Sequence, residues 1–143
     1  MSDPIQFRFQ SIQILSKNLI SQVDQFDLAD QQFIIKCEAK IQTDIKCVLI
    51  LVEVNIANKS NSKILGGVTV VYYFEVSDFD KLIILNDQGL YVIPPDFLNT
   101  VQPACISTTR GIIYSEFRGT FLQNAIMPII HMQDMKPEIK ETN

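Results

Sequence analysis

From Ile45 to Ile56 the chain is almost continuously apolar: Ile45, then after Lys46 the run Cys47-Val48-Leu49-Ile50-Leu51-Val52, then Val54 and Ile56 interleaved with Glu53 and Asn55. The run is well short of the roughly 20 residues that a membrane helix requires, and its wealth of Val and Ile favours a pleated strand. A strand that is apolar in both alternating phases must be covered on both faces, by other layers of its own chain or by another molecule.

Its neighbours in sequence carry the same grammar more weakly. Phe33, Ile35, Cys37, Ala39 and Ile41 alternate cleanly and predict a half-buried strand. Val68, Val70, Tyr72, Phe74 and Val76 predict another, with Gly66-Gly67 ahead of it permitting a bulge or a close backbone approach. Ile5, Phe7 and Phe9 alternate too, but Ile12 and Ile14 continue in the opposite phase, a slip that a bulge at Gln10 and Ser11 would repair. A polar stretch, Ser16 to Asp30, follows this first strand, and Asn58 to Ser62 supplies turn chemistry between the third and fourth. The expectation is a four-stranded antiparallel meander.

After Ser77 the pattern changes. Asp78, Asp80, Asn86, Asp87 and Gly89 punctuate two short apolar runs, Leu82 to Leu85 and Leu90 to Ile93, which read as an extended crossover loop closed by a turn at Pro94-Pro95-Asp96. Pro103 suits the first turn of a helix, from which Ile106, Thr109 or Arg110, Ile113 and Phe117 recur at helical spacing up to a left-handed cap at Gly119. Phe121, Leu122, Ala125, Ile126, Ile129 and Ile130 continue the apolar face, but Pro128 breaks it, which predicts a loop and a short second helix. The fold class expected is therefore α+β: a four-stranded antiparallel sheet followed by one long and one short C-terminal helix. Residues 1–132 form a single domain, and residues 133–143 form a polar tail that frays.

Few tools for chemistry are present. Lysine and arginine total 12 against 16 acidic residues, a net charge of −4 that speaks against nucleic acid as a partner. Met-Ser-Asp-Pro has the wrong charge for a secretory signal, so a soluble, cytoplasmic protein without membrane insertion is expected. Cys37, Cys47 and Cys105 are odd in number and read as buried, reduced thiols. A single histidine, His131, stands apart from any metal-ligand spacing, so no metal and no cofactor are expected. Ser107 to Gly111 imitates a phosphate loop but falls mid-helix, where its hydroxyls would face a neighbouring helix. Asp78 and Asp80 belong to a polar turn that caps and solvates rather than to an acid/base pair. No dinucleotide fingerprint or nucleophile elbow occurs, and the chain reads as a non-enzyme.

Apolar surface is the surplus. One sheet with a long and a short helix covers one face, while the third and fourth strands are apolar in both phases, so oligomerisation is expected to cover the other.

The stretch Ala104-Cys105-Ile106-Ser107-Thr108-Thr109-Arg110-Gly111, followed by Phe121-Leu122, Asn124-Ala125 and Met127-Pro128, resembles the SecB-type export chaperones, whose long helix ends near an Arg-Gly pair and leads into a Leu-x-x-Pro stretch. The order of elements is also similar over roughly residues 5 to 131. Two departures, Ile129-Ile130-His131-Met132 in place of an Asn-Phe-Asp run and a tail with little basic, metal-associated character, make it look like a divergent member of the kind paired with toxin–antitoxin systems.

The resemblance implies a chaperone that binds unfolded or precursor polypeptides in apolar grooves without cofactor or ATP, assembled as a homotetrameric dimer of dimers. Its further partners would be the SecA motor or an antitoxin. Phe79, Leu82, Ile84, Tyr91, Ile93, Phe121, Leu122 and Ile126 are the expected client contacts, and Ile106 and Ile113 the expected subunit contacts. Two other classes compete. An adaptor for one native partner shares every one of these features. A hotdog-like thioesterase would need an acid or Asn over a helix set among the strands, whereas here the helix follows them.

Overall fold

Alternation of β-branched and aromatic residues makes strands of β1 (Phe7–Leu19), β2 (Gln31–Gln42), β3 (Cys47–Asn58) and β4 (Ile64–Val76). The computed structural model describes residues 6–21, 27–130 and 138–142, the last stretch as backbone. These four strands pair antiparallel. The remaining elements are α1 (Phe79–Leu82), β5 (Ile84–Leu85), β6 (Tyr91–Val92), α2 (Pro95–Glu116) and β7 (Glu138–Thr142). The α+β class, with four antiparallel strands, one long helix and one short one, is the architecture observed.

The strand order is β1-β4-β3-β2-β7. Only β2, β3 and β4 form the expected meander; β1 lies against β4 instead of β2. With β3 on one side and β1 on the other, the backbone N–H and C=O groups on both edges of β4 are paired, as a strand whose Val70, Val71 and Tyr72 are all buried requires. Just ahead of β2, Asp30 receives Ser60 N–H (3.1 Å) and Ser60 O–H (2.6 Å) and fastens the β3–β4 turn. The bulge expected at Gln10 is present as a register shift between Phe9 and Ser11, and a second one, unforeseen, falls between Ile14 and Ser16.

Gly67 sits opposite Asn55, where a Cβ would run into the Asn55 side chain and stand 2.8 Å from the Val54 carbonyl. The close approach expected of this glycine pair is real.

The long helix begins two turns earlier than its spacing suggests. Pro95 occupies the first helical position, where its missing N–H costs nothing, so Pro94-Pro95 starts α2 instead of making a turn. Pro103 is then interior, and it deprives the carbonyl of Asn99, an exposed residue that water can serve, of its N–H partner. At the far end Gly119 adopts φ +78°, the left-handed conformation foreseen for it. Residues 117–124 form consecutive turns, not a regular second helix: Thr120 N–H bonds Phe117 C=O and Ala125 N–H bonds Leu122 C=O. The short helix is α1, within the crossover segment, which is not the plain extended loop expected. Past α1 it folds into the β5–β6 hairpin, closed by the Asn86 carboxamide accepting from Gln88 and Leu90 N–H.

Of the tail expected to fray, Glu138–Thr142 pairs parallel with Glu38–Gln42 of β2. Residues 131–137, with His131, and residue 143 lie outside the described residues, as do residues 1–5 and 22–26.

The core lies between α2 and one face of the sheet, where Val48, Ile50, Val52, Val54 and Ile56 of β3 meet Val101, Cys105, Ile106 and Ile113 of α2. Phe97 at the start of α2 packs edge-on against Phe7 (centroids 5.0 Å), and Lys17 reaches Glu116 near its end (3.3 Å), so the helix runs alongside β1.

Candidate polypeptide-binding surface

Chemical groups in the core are closed off. Tyr72 of β4 and Thr109 of α2, both buried, share a 2.6 Å hydrogen bond, while Thr109 also donates to the Cys105 carbonyl at 2.7 Å. The mid-helix Ser-Thr-Thr run therefore turns one hydroxyl toward the sheet rather than toward a second helix. Burial pushes the Tyr72 phenol up to about 12, against a smaller downward pull from Thr109. Burial likewise raises the Cys37 thiol to about 11, with a Gln102 contact partly opposing it, and raises Cys105 further still. All three cysteines are free and buried, and protonated thiols of this kind are poor nucleophiles and poor metal ligands.

An open hollow of about 530 Å³ at the β2–β3 turn is lined by Gln10, Lys46, Glu75, Asp78, Asp80 and Lys81. Here Asp80 is spanned by Lys46 (2.6 Å) and Glu75 by Arg8 (2.8 Å), solvated pairs that neutralise one another. Asp78 starts α1 with φ +56° and no side-chain cap bond, so the two aspartates do separate structural jobs. Among the described residues no group of three or more His, Cys, Asp or Glu is placed to hold a metal, and no helix is long and apolar enough to cross a membrane.

The expected client contacts divide into three groups. Phe79, Ile93 and Leu122 are core residues, already used inside the protomer. Leu122 packs so close to the sheet that a Cβ on Gly66 would stand 2.8 Å from its Cδ1. Leu82, Tyr91 and Phe121 are partly buried against that same core. Ile84 and Ile126 stand open, at 56% and 64% exposure. Ile106 and Ile113 are 3% and 1% exposed within the protomer, so any surface offered to a second subunit lies elsewhere. Helical spacing had identified the correct face of α2 but not its partner, which is the chain's own sheet.

Open apolar side chains concentrate in two places that periodicity could not single out. Leu85, Leu90 and Val92 join Ile84 on the β5–β6 hairpin, with Ile84 directly across from Val92. On β1, Phe9, Ile12 and Ile14 pair with Phe74, Tyr72 and Val70, which places them on the core face of the sheet, yet all three are exposed. Apart from the phase slip at Gln10 and Ser11 they are the same kinds of residue as those of β2, and nothing in the sequence marks them as uncovered. The opposite face of the sheet is less open than expected: Cys47, Leu49 and Val71 are buried there, with Leu51 and Tyr73 packed against them.

A four-stranded antiparallel sheet beneath one long helix, with an apolar hairpin between them in sequence, defines an α+β scaffold with solvent-facing apolar rims and a closed core. The arrangement is similar to the SecB-like chaperone Rv1957 of Mycobacterium tuberculosis, solved in complex with a ChAD peptide from the Rv1956 HigA1 antitoxin. The two superpose with a TM-score of 0.56 at 12% sequence identity, over 87% of this chain and 91% of that one. No protein-family profile and no curated protein sequence matches the chain. The fold is thus SecB-like.

Proposed function

We propose that this chain is a non-catalytic chaperone of SecB-like type that binds non-native polypeptide segments through apolar rims and works in the cytoplasm. The observation that carries the reading is the β5–β6 hairpin. Ile84, Leu85, Leu90 and Val92 are all exposed in a chain whose core is otherwise well packed, and contiguous exposed apolar surface marks a binding site. Contacts of this kind gain roughly 25 cal/mol per Å² buried, whatever the exact sequence of the guest, which gives tolerant affinity. Ile126 and the partly buried Leu82, Tyr91 and Phe121 would extend the surface. Phe9, Ile12 and Ile14 of β1, not Ile106 and Ile113, would be the self-association face of a homo-oligomer.

A second reading, an adaptor for one partner, is favoured by the structural neighbour, which was solved with a peptide from a single antitoxin. Breadth of binding separates the two. Anisotropy titrations with a panel of unrelated unfolded peptides should give micromolar affinity for several of them. An Ile84→Asp/Ile126→Asp variant should weaken them all by about tenfold or more, since each lost apolar contact of this size is worth about 1.5–3 kcal/mol when fully buried. Binding confined to one sequence, or to one folded partner while no unfolded peptide binds, would favour the adaptor and reject the chaperone reading.

A further inference from the structure

We propose that two copies of this chain pair by a reciprocal exchange, the β5–β6 hairpin of each lying on the uncovered face of β1 of the other, so that assembly masks the surface that guests use. The masking rests on the polypeptide-binding reading above; the pairing does not.

The hairpin is built to reach outward. Ile84 lies across from Val92 and Leu85 across from Tyr91, and Asn86 closes the tip by donating its N–H to Leu90 C=O and accepting from Gln88 and Leu90 N–H through its carboxamide. Among the described residues, 84–92 make no hydrogen bond outside the hairpin. Its feet, Ile83 and Ile93, are held in the core. Between them Ile84, Leu85, Leu90 and Val92 are open to between 42% and 56%.

The receiving surface is the core-facing side of β1. Phe9, Ile12, Ile14 and Leu19 pair with Phe74, Tyr72, Val70 and Gly66, and stay open to between 38% and 44% because α2 does not roof them. Both patches are open at once, so the protomer does not satisfy one with the other. A large apolar residue carries about 200 Å² of surface, so the two patches together offer roughly 750 Å² per protomer, close to the ~800 Å² that each partner of a standard interface buries. Packing β1 on β1 alone would use only about half of that area and leave both hairpins in water.

Position and charge fix the orientation. Val76 pairs with Phe7 and Phe97 packs on it, so the hairpin between them springs from the Phe7 end of β1, while the open stripe runs on to Leu19. A two-fold axis across β1 therefore carries each hairpin to the Leu19 end of the other copy. There Asp87, the one charged residue of the hairpin, meets Lys17, the one charged residue on that side of β1, whose side chain is 40% exposed beside Glu116.

Sedimentation of the full chain over a concentration series should show a dimer forming in the micromolar range. Ile84→Asp on the hairpin and Ile12→Asp on β1 should each raise its dissociation constant by about a hundredfold, since two-fold symmetry removes the contact twice, while the monomer keeps its far-ultraviolet circular dichroism. With a photo-crosslinking phenylalanine in place of Ile84, a mixture of light and heavy-isotope copies should join residue 84 of one copy to residues 7–19 of the other. Saturating unfolded peptide should convert the dimer to peptide-bound monomer. A chain that stays monomeric at about 0.1 mM, or crosslinks that run only from hairpin to hairpin, would overturn the pairing. Peptide held by an undissociated dimer would overturn the masking. If the crosslink forms as stated and no unfolded peptide binds, the chaperone reading falls and the pairing stands.

Discussion

β3 and β1 are built from the same kinds of residue and meet opposite fates. Val48, Ile50 and Val52 in the middle of the sheet are fully buried, whereas Phe9, Ile12 and Ile14 at its edge are each 44% exposed although they lie on the same face. The difference is position beneath α2. The helix covers β3 and β4 and runs alongside β1 without roofing it, touching it at Phe7 and Lys17. Apolar alternation therefore marks both the residues that hold this fold together and those left to bind something, and coverage separates the two roles.

The largest effect should come from placing a charge under the helix. Ile113→Asp, which from spacing alone would be aimed at a subunit contact, instead buries a carboxylate in the protomer core and should cost several kcal/mol. Loss of the cooperative melting transition, not merely a smaller sedimentation coefficient, is the expected readout. A folded, dissociated Ile113→Asp chain would return that residue to an interface.

Ile50→Ala should follow, with about 2–5 kcal/mol lost from a fully buried site. Ile12→Ala, the matched change on β1, should stay within about 0.5 kcal/mol. Similar denaturation midpoints for the two variants would erase the contrast between centre and edge.

Tyr72→Phe should cost about 1 kcal/mol, because Thr109 loses one partner but keeps the Cys105 carbonyl. The same buried groups set an alkaline limit. Cys37 and Tyr72 hold their protons to about 11 and about 12 in the folded chain, against ordinary values of 9.0 and 10.0. Between those limits the unfolded chain binds fewer protons than the folded one, so stability is full below pH 9 and falls as pH rises through 11 and 12. Melting temperatures that stay level across that range would show these groups to be solvated.

At the small end, Ile84→Asp should leave the melting temperature unmoved, since the side chain is already in water, while weakening peptide binding. A large stability loss would place the hairpin in the core and remove it from the binding surface.

Particular residues show how far periodicity reaches. Strands β2 to β4, the bulge at Gln10, the inner face of α2 from Ile106 to Ile113 and the cap at Gly119 were all legible, because each depends on contacts or dihedral preferences within a few residues. Pro94-Pro95 was misread because the dipeptide suits both a turn and the first turn of a helix, and only the residues packing behind it decide which. The place of β1 beside β4 was not legible, since an alternating strand pairs equally well with any neighbour of suitable length. The split among Phe79, Ile93 and Leu122 in the core and Ile84 and Ile126 outside it was hidden for a similar reason. All five are large aliphatic or aromatic residues in the irregular segments before and after α2, and hydrophobicity does not say which of them finds a roof.

By itself, then, the sequence determined the local elements, the class of the fold and the scarcity of reactive groups, all of which follow from side-chain type and spacing along the chain. The tertiary structure alone decided strand order, which apolar residues α2 covers, and the pairing of β7 with the edge of β2. Those outcomes depend on contacts between residues far apart in sequence, where burial is shared among many candidates and only their simultaneous packing selects one.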